Sequence, residues 1–215
     1  ASRSHNMVVV DDADVAPGDM EGIQLVSRRA RGDGIWPITF RAVHRGYERR
    51  HGVRSERAVF FIDKFSHWFV IDRLQQLGGE HTYKWHLTSP LDLEVDGDGR
   101  VVTRSRPGLM ISATASVGAE IRTVVGKGLA NTTGILAGPS HQYVATVDFL
   151  QKATGHADVI YGVLLAPFKS KPVLAKVSPV PVRGNGACFH VKYENGVDEY
   201  YVIGDRSPIS AGPLK

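Results

Sequence analysis

The stretch whose reading decides the fold is Ser66-His67-Trp68-Phe69-Val70-Ile71-Asp72-Arg73-Leu74, followed by Gly78-Gly79-Glu80-His81-Thr82-Tyr83-Lys84-Trp85-His86-Leu87. β-Branched and aromatic residues dominate both runs and a glycine pair separates them, so they read as two strands joined by a loop. Successive side chains of a strand point to opposite faces. In the second strand this places His81, Tyr83, Trp85 and Leu87 on one face and Thr82, Lys84, His86 and Thr88 on the other. The first set has the character of core, the second of a wetted surface.

The same pattern repeats outward in both directions. Short apolar runs bounded by Gly, Pro, Asn or Asp predict strands near residues 7–10, 23–27, 38–43, 58–63, 68–72, 82–88, 91–95, 101–104, 109–115, 120–125, 143–149, 159–167, 173–177, 187–193 and 199–203. Asn195-Gly196 and Asp96-Gly97-Asp98-Gly99 lie between such runs and predict type I′ hairpins, hence antiparallel pairing. Residues 126–141, with their glycines and polar side chains, predict a long loop. No window carries a sustained helical period with caps, which argues against βαβ units. The predicted class is all-β, a large antiparallel β-sandwich of the super-sandwich type with few or no helices. Residues 1–215 read as a single domain.

Composition narrows the function classes. The chain has 215 residues, 42% hydrophobic and 22% charged, and no apolar run approaches the ~20 residues of a membrane span, so neither disorder nor a membrane partner is expected. Cys188 is the sole cysteine, which excludes an intramolecular disulfide, and Ala187-Cys188-Phe189 reads as a buried strand position. Net charge is +4, unevenly spread: Arg28, Arg29, Arg31, Arg41, Arg45, Arg49, Arg50, Arg54 and Arg57 face only Asp33, Glu48 and Glu56 over the same stretch. An anionic partner follows. No helix-turn-helix, zinc-finger or RNP-like pattern supports nucleic acid, whereas an acidic polysaccharide or oligosaccharide meets the same charge logic.

Lys84 and His86 stand two residues apart, roughly 7 Å along a strand, a spacing suited to successive groups of an extended anionic chain. With Arg49 and Arg50 they are the candidate substrate-binding residues; the plainer alternative is a solvated sheet face with no ligand. His81, beside Tyr83 and Trp85, reads as a hydrogen-bonded core histidine rather than a catalyst. His5 alone specifies no metal by spacing, because zinc takes three or four ligands. There is no GxSxG, HExxH, Walker or CxxC pattern, and no catalytic residue is assigned.

Taken in order, Ser4-His5-Asn6 before a Val-rich strand ending in Asp11, His44-Arg45-Gly46-Tyr47, Arg57 before Val59-Phe60-Phe61, Trp68 to Leu74, Gly79-Glu80-His81 and His86-Leu87-Thr88-Ser89-Pro90 resemble the C-terminal region of heparinase II/III-type polysaccharide lyases. The resemblance covers most of residues 3–95, and Asp198-Glu199-Tyr200-Tyr201-Val202 with Asp205 is similar to the family's closing strands. It implies a secreted or periplasmic protein in which an N-terminal (α/α) toroid precedes the sandwich. The activity implied is cleavage of uronic-acid polysaccharide by β-elimination: a proton leaves C5, the enolate is stabilised, and the C4 substituent departs. It further implies a zinc ion with His5 as one ligand and a histidine and an aspartate upstream as the others. The family's principal Tyr, His and Asn have no counterpart in this chain, which also opens at Ala1 rather than Met. We therefore read it as the C-terminal part of a longer chain that partners an upstream catalytic toroid. The alternative is a non-catalytic carbohydrate-binding or scaffold domain for acidic polysaccharide.

Overall fold

The computed structural model describes residues 6–15, 24–29, 38–62, 65–116, 120–129, 143–156, 158–183, 186–204 and 210–212. In chain order the elements are β1 (Val8–Val10), β2 (Gln24–Arg29), β3 (Ile38–His44), α1 (Glu48–His51), β4 (Val53–Ile62), β5 (His67–Gln76), β6 (Glu80–Ser89), β7 (Leu93–Val95), β8 (Val101–Thr103), β9 (Gly108–Ala115), β10 (Arg122–Leu129), β11 (Tyr143–Thr154), β12 (Val159–Phe168), β13 (Ala175–Val180), β14 (Ala187–Tyr193), β15 (Asp198–Ile203) and β16 (Ser210–Gly212). They form a central eight-stranded sheet, β2-β3-β4-β5-β12-β9-β8-β7, between two four-stranded sheets. The front sheet runs β1-β6-β11-β10 and the back sheet β13-β14-β15-β16. Every described pairing is antiparallel. The expected sandwich is therefore present, with three layers and two cores.

The alternation of β5 and β12 explains the layering. In β12, Val159, Tyr161 and Val163 face the front core, while Ile160, Leu164 and Ala166 face the back core. In β5, Val70 and Leu74 point forward and Phe69 and Ile71 point back. A strand covered on both faces needs apolar residues at odd and even positions alike, which is why these two runs look almost continuously hydrophobic. The front core is completed by Tyr83, Trp85 and Leu87 of β6 with Val147 and Phe149 of β11. The back core is completed by Phe189, Val191 and Tyr193 of β14 with Tyr201 of β15, whose ring stacks on Phe69 at 4.2 Å. Gly162 lets the back sheet approach, since a Cβ there would come within 2.6 Å of the Phe189 ring.

Four local expectations need correction. Residues 126–129 are strand, not loop: β10 continues through Gly126 and Gly128, paired with Val144 and Thr146 of β11, because a long partner ladder outweighs the poor strand propensity of glycine. The rest of that predicted loop, residues 130–141, lies outside the described residues. Both expected type I′ turns are three-residue loops. In each the single positive φ belongs to the last residue, Gly99 at 77° and Gly196 at 83°, after an Asp96–Gly99 or Tyr193–Gly196 backbone bond. A single helical turn, α1, was not expected; it closes on Gly52 at φ 62°. β16, which pairs with β15, was likewise missed.

Candidate functional site

The front and central sheets are joined by polar side chains as well as by core. Arg57 of β4 and Asp72 of β5 are register partners, and two guanidinium nitrogens donate to the two carboxylate oxygens at 2.6 and 2.8 Å. Across the core, the Trp85 indole Nε1–H of β6 donates to Asp72 Oδ2 at 2.8 Å. Burial works against the Arg57 charge, but Asp72 outweighs it and raises the guanidinium above its ordinary pKa. Arg57 also donates to the Asn6 carbonyl at 2.8 Å, and the Asn6 side-chain oxygen accepts from the Thr88 amide at 2.9 Å. A second link is Tyr161, whose hydroxyl donates to the Tyr83 carbonyl at 3.2 Å.

At the other end of β1 the chain turns through Asp11 and Asp12, both in the left-handed region at φ 53°, which aspartate tolerates better than most residues. The turn presents Asp11 to two histidines. Asp11 Oδ2 lies 2.7 Å from His81 Nδ1, at the start of β6, and 3.2 Å from His51 Nδ1, at the end of α1. Asp11 Oδ1 accepts from the Thr82 amide at 2.8 Å, and His81 Nε2 lies 3.1 Å from the Gly78 carbonyl. Partial burial pushes the Asp11 carboxyl up, but hydrogen bonds from His81 and the Thr82 amide hold it below the usual carboxylate range. Tyr47 supports the cluster from below: it is buried, its hydroxyl donates to the Ala13 carbonyl at 3.1 Å, and its ring meets His51 edge-on at 5.8 Å. Among the described residues, Asp11, His51 and His81 are the group whose one oxygen and two nitrogens converge as metal donors do.

The same turn holds one of the candidate binding residues. Lys84 extends along the outer face of β6 and pairs with Asp12 at 2.5 Å. His86, two residues on, is buried rather than wetted; its Nδ1 lies 2.5 Å from Asp148 Oδ1 and its Nε2 lies 3.1 Å from the Thr88 hydroxyl. Arg49 and Arg50 are exposed on α1, directly before His51. His81 makes hydrogen bonds as expected, but to the Asp11 turn rather than within the core. His5 lies outside the described residues.

Among the described residues, arginines of the arginine-rich stretch are paired and lie on different faces. Arg41 pairs with Glu56 on the back-facing side of the central sheet, Arg54 with Glu48 at 2.6 Å, and Arg57 with Asp72 on the front-facing side. The front-facing side also carries an aromatic group that sequence reasoning missed. Trp68 is 42% exposed and lies 4.5 Å from its cross-strand partner Phe61, while Phe40, 41% exposed, occupies the same face of β3. Aromatic rings left on one sheet face offer flat apolar platforms with a polar rim. The buried tyrosines are of the opposite character: burial raises the phenol pKa of Tyr83, Tyr161, Tyr193 and Tyr201, the wrong direction for a group that must give up its proton.

A family model described as heparinase II/III-like, C-terminal, matches residues 1–158. No curated protein matches the chain in sequence. Among solved structures, a heparinase III is similar with a TM-score of 0.73 and 16% identity, over 94% of this chain and 30% of that one. A mutant of the heparan sulfate lyase from Pedobacter heparinus is similar with a TM-score of 0.70 and 15% identity, over 100% of this chain and 31% of that one. A further heparinase III gives a TM-score of 0.69 and 13% identity, over 98% and 29%. The chain thus spans about three tenths of the length of the structures it matches, and at these identities the likeness is one of fold.

Proposed function

The chain belongs to the heparinase II/III-like C-terminal family, and from that premise we propose that it is the β-sandwich domain of a lyase that cleaves uronic-acid polysaccharide by β-elimination. The observation that carries the reading is the family match over residues 1–158 on a three-sheet fold similar to that of solved heparinase III chains. The chain's own residues supply binding. Trp68, with Phe61 and Phe40, stacks against the apolar faces of sugar rings, and Lys84, Arg49 and Arg50 meet carboxylates or sulfates along the polymer. The base that removes the C5 proton is assigned to the upstream toroid that the resemblance implies; the buried phenols of Tyr83 and Tyr161, raised by burial, are poorly suited to that role. A zinc ion held partly through His5 and a periplasmic or secreted location belong to the same proposal.

One observation favours the second reading, a non-catalytic binding or scaffold domain: Lys84 and His86 are already engaged by Asp12 and Asp148. Binding assays with heparan sulfate, alginate, a neutral glucan and DNA at matched ionic strength test the choice of ligand. Preference for the uronate polymers, weakened by salt and by replacing Lys84, Arg49 and Arg50 together with alanine, supports the proposal. Equal affinity for the neutral glucan, or preference for DNA, contradicts it.

A further inference from the structure

We propose that Asp11, His51 and His81 form a binding site for a divalent transition-metal ion of the zinc class, held by one carboxylate oxygen and two imidazole nitrogens, with the fourth position open to water. Their donor atoms all lie within 4.8 Å of one another. In a tetrahedral zinc site with bonds near 2.0 Å, neighbouring donors are about 3.3 Å apart. The observed 2.7 Å and 3.2 Å separations around Asp11 Oδ2 therefore require only a small opening to admit the ion.

The hydrogen-bond pattern around Asp11 and His81 is what a metal ligand set needs. His81 Nε2 faces the Gly78 carbonyl and its Nδ1 faces the Asp11 carboxylate at 2.7 Å, and both of these oxygens can only accept. The ring therefore meets them either with a proton on each nitrogen, or with its one proton on Nε2 and a cation between Nδ1 and Asp11. A backbone carbonyl fixing the far nitrogen of a ligating histidine is the usual outer-shell arrangement. Asp11 is oriented in the same way, its second oxygen being occupied by the Thr82 amide. Imidazole donors select zinc and its neighbours over calcium or magnesium, which prefer all-oxygen sets.

This ligand set lies at the opposite end of β1 from Asn6. Asn6 lies beside Thr88, whereas Asp11 lies beside Thr82, at the far end of β1 and about 16 Å of extended chain away. The site joins three segments that are distant in sequence: the turn after β1, the end of α1 and the start of β6. Metal there ties α1, attached to the central sheet, to the front sheet.

Titration of the metal-stripped chain with zinc chloride, followed by calorimetry and thermal unfolding, is the test. One ion per chain is expected, with the unfolding midpoint raised by roughly 5 to 10 °C when free zinc is about a hundredfold above Kd. Cobalt(II) in place of zinc is expected to give the visible absorption of a four-coordinate site. His51→Ala, on the short exposed helix, weakens affinity by about a hundredfold while circular dichroism of the metal-free protein stays unchanged; Asp11→Asn and His81→Gln do the same. His190→Ala, which removes a surface His–Asp pair on the back sheet at 2.9 Å, leaves it unaltered. Zinc that produces no shift, or affinity retained in His51→Ala, overturns the proposal.

Discussion

Replacing Asp72 with alanine isolates the polar joint between the sheets. Asp72 is 1% exposed and serves two partners, Arg57 through both oxygens and the Trp85 indole through one. In Asp72→Ala the guanidinium loses its counter-charge and the buried indole N–H loses its acceptor. Removing one member of a buried ion pair costs about 3 to 5 kcal/mol, and because the Arg57 side chain stays 30% exposed the lower end, about 3 kcal/mol, is expected here, with the orphaned indole accounting for about 1 kcal/mol or more of it. In a chain of 215 residues, 1 kcal/mol moves the midpoint by about 2 to 4 °C, so a fall of roughly 9 °C is expected. Asp72→Asn, which keeps a carbonyl acceptor for Trp85, loses less, and Arg57→Met with Asp72→Leu recovers part of the loss because no unpaired charge remains. Urea unfolding at constant m-value reads the free energy directly. A loss below about 1 kcal/mol for Asp72→Ala refutes the view that this joint holds the front sheet in place.

Other outcomes follow from single contacts. His67 is 2% exposed and stacked on Tyr193, and burial lowers its pKa to about 4 from 6.5, so the unfolded chain protonates first as pH falls. Its contribution is complete above the unfolded pKa and is lost between about pH 6.5 and 4, up to about 3 kcal/mol; His67→Phe flattens that limb of a stability–pH curve, and an unchanged slope contradicts the assignment. Gly162→Ala drives a methyl into Phe189 and costs about 1 to 3 kcal/mol by denaturant melt, whereas Gly97→Ala, in open space on the Asp96–Arg100 turn, is near neutral. Trp68→Ala weakens uronate-polymer affinity about tenfold without moving the melting midpoint by more than about 2 °C; equal affinity removes Trp68 from the binding face.

Much of the fold was legible because alternation is a local property. Tyr83, Trp85 and Leu87 are core because each is two residues from the next on a strand, and the hydrophobic runs of β5 and β12 already report burial on both faces. Glycines in β10 were not legible, since what keeps Gly126 and Gly128 extended is pairing with β11, some 20 residues away. His86 illustrates the same limit: its position on the outer face could be read, but not its burial beside Asp148, 62 residues on. The Asp11 cluster left no spacing signal at all. His51 and His81 lie 40 and 70 residues from Asp11 and meet it only because β1 pairs with β6 and α1 packs behind them. The family's ordered residues, by contrast, prove largely architectural. Arg57, Asp72 and Asn6 lock the sheets together, which explains how a sequence pattern can announce a fold without naming a catalytic group.

The most direct test of the account is incubation of the full-length gene product, and of this chain alone, with heparan sulfate, alginate and other uronate polymers while ultraviolet absorbance of the unsaturated product is followed. The account predicts product from the full-length protein, none from this chain, and loss of rate for Trp68→Ala through KM. Product from this chain alone would place the base within the sandwich and contradict the assignment of catalysis to the upstream domain, and absence of product from the full-length protein on every uronate polymer would contradict the lyase reading itself.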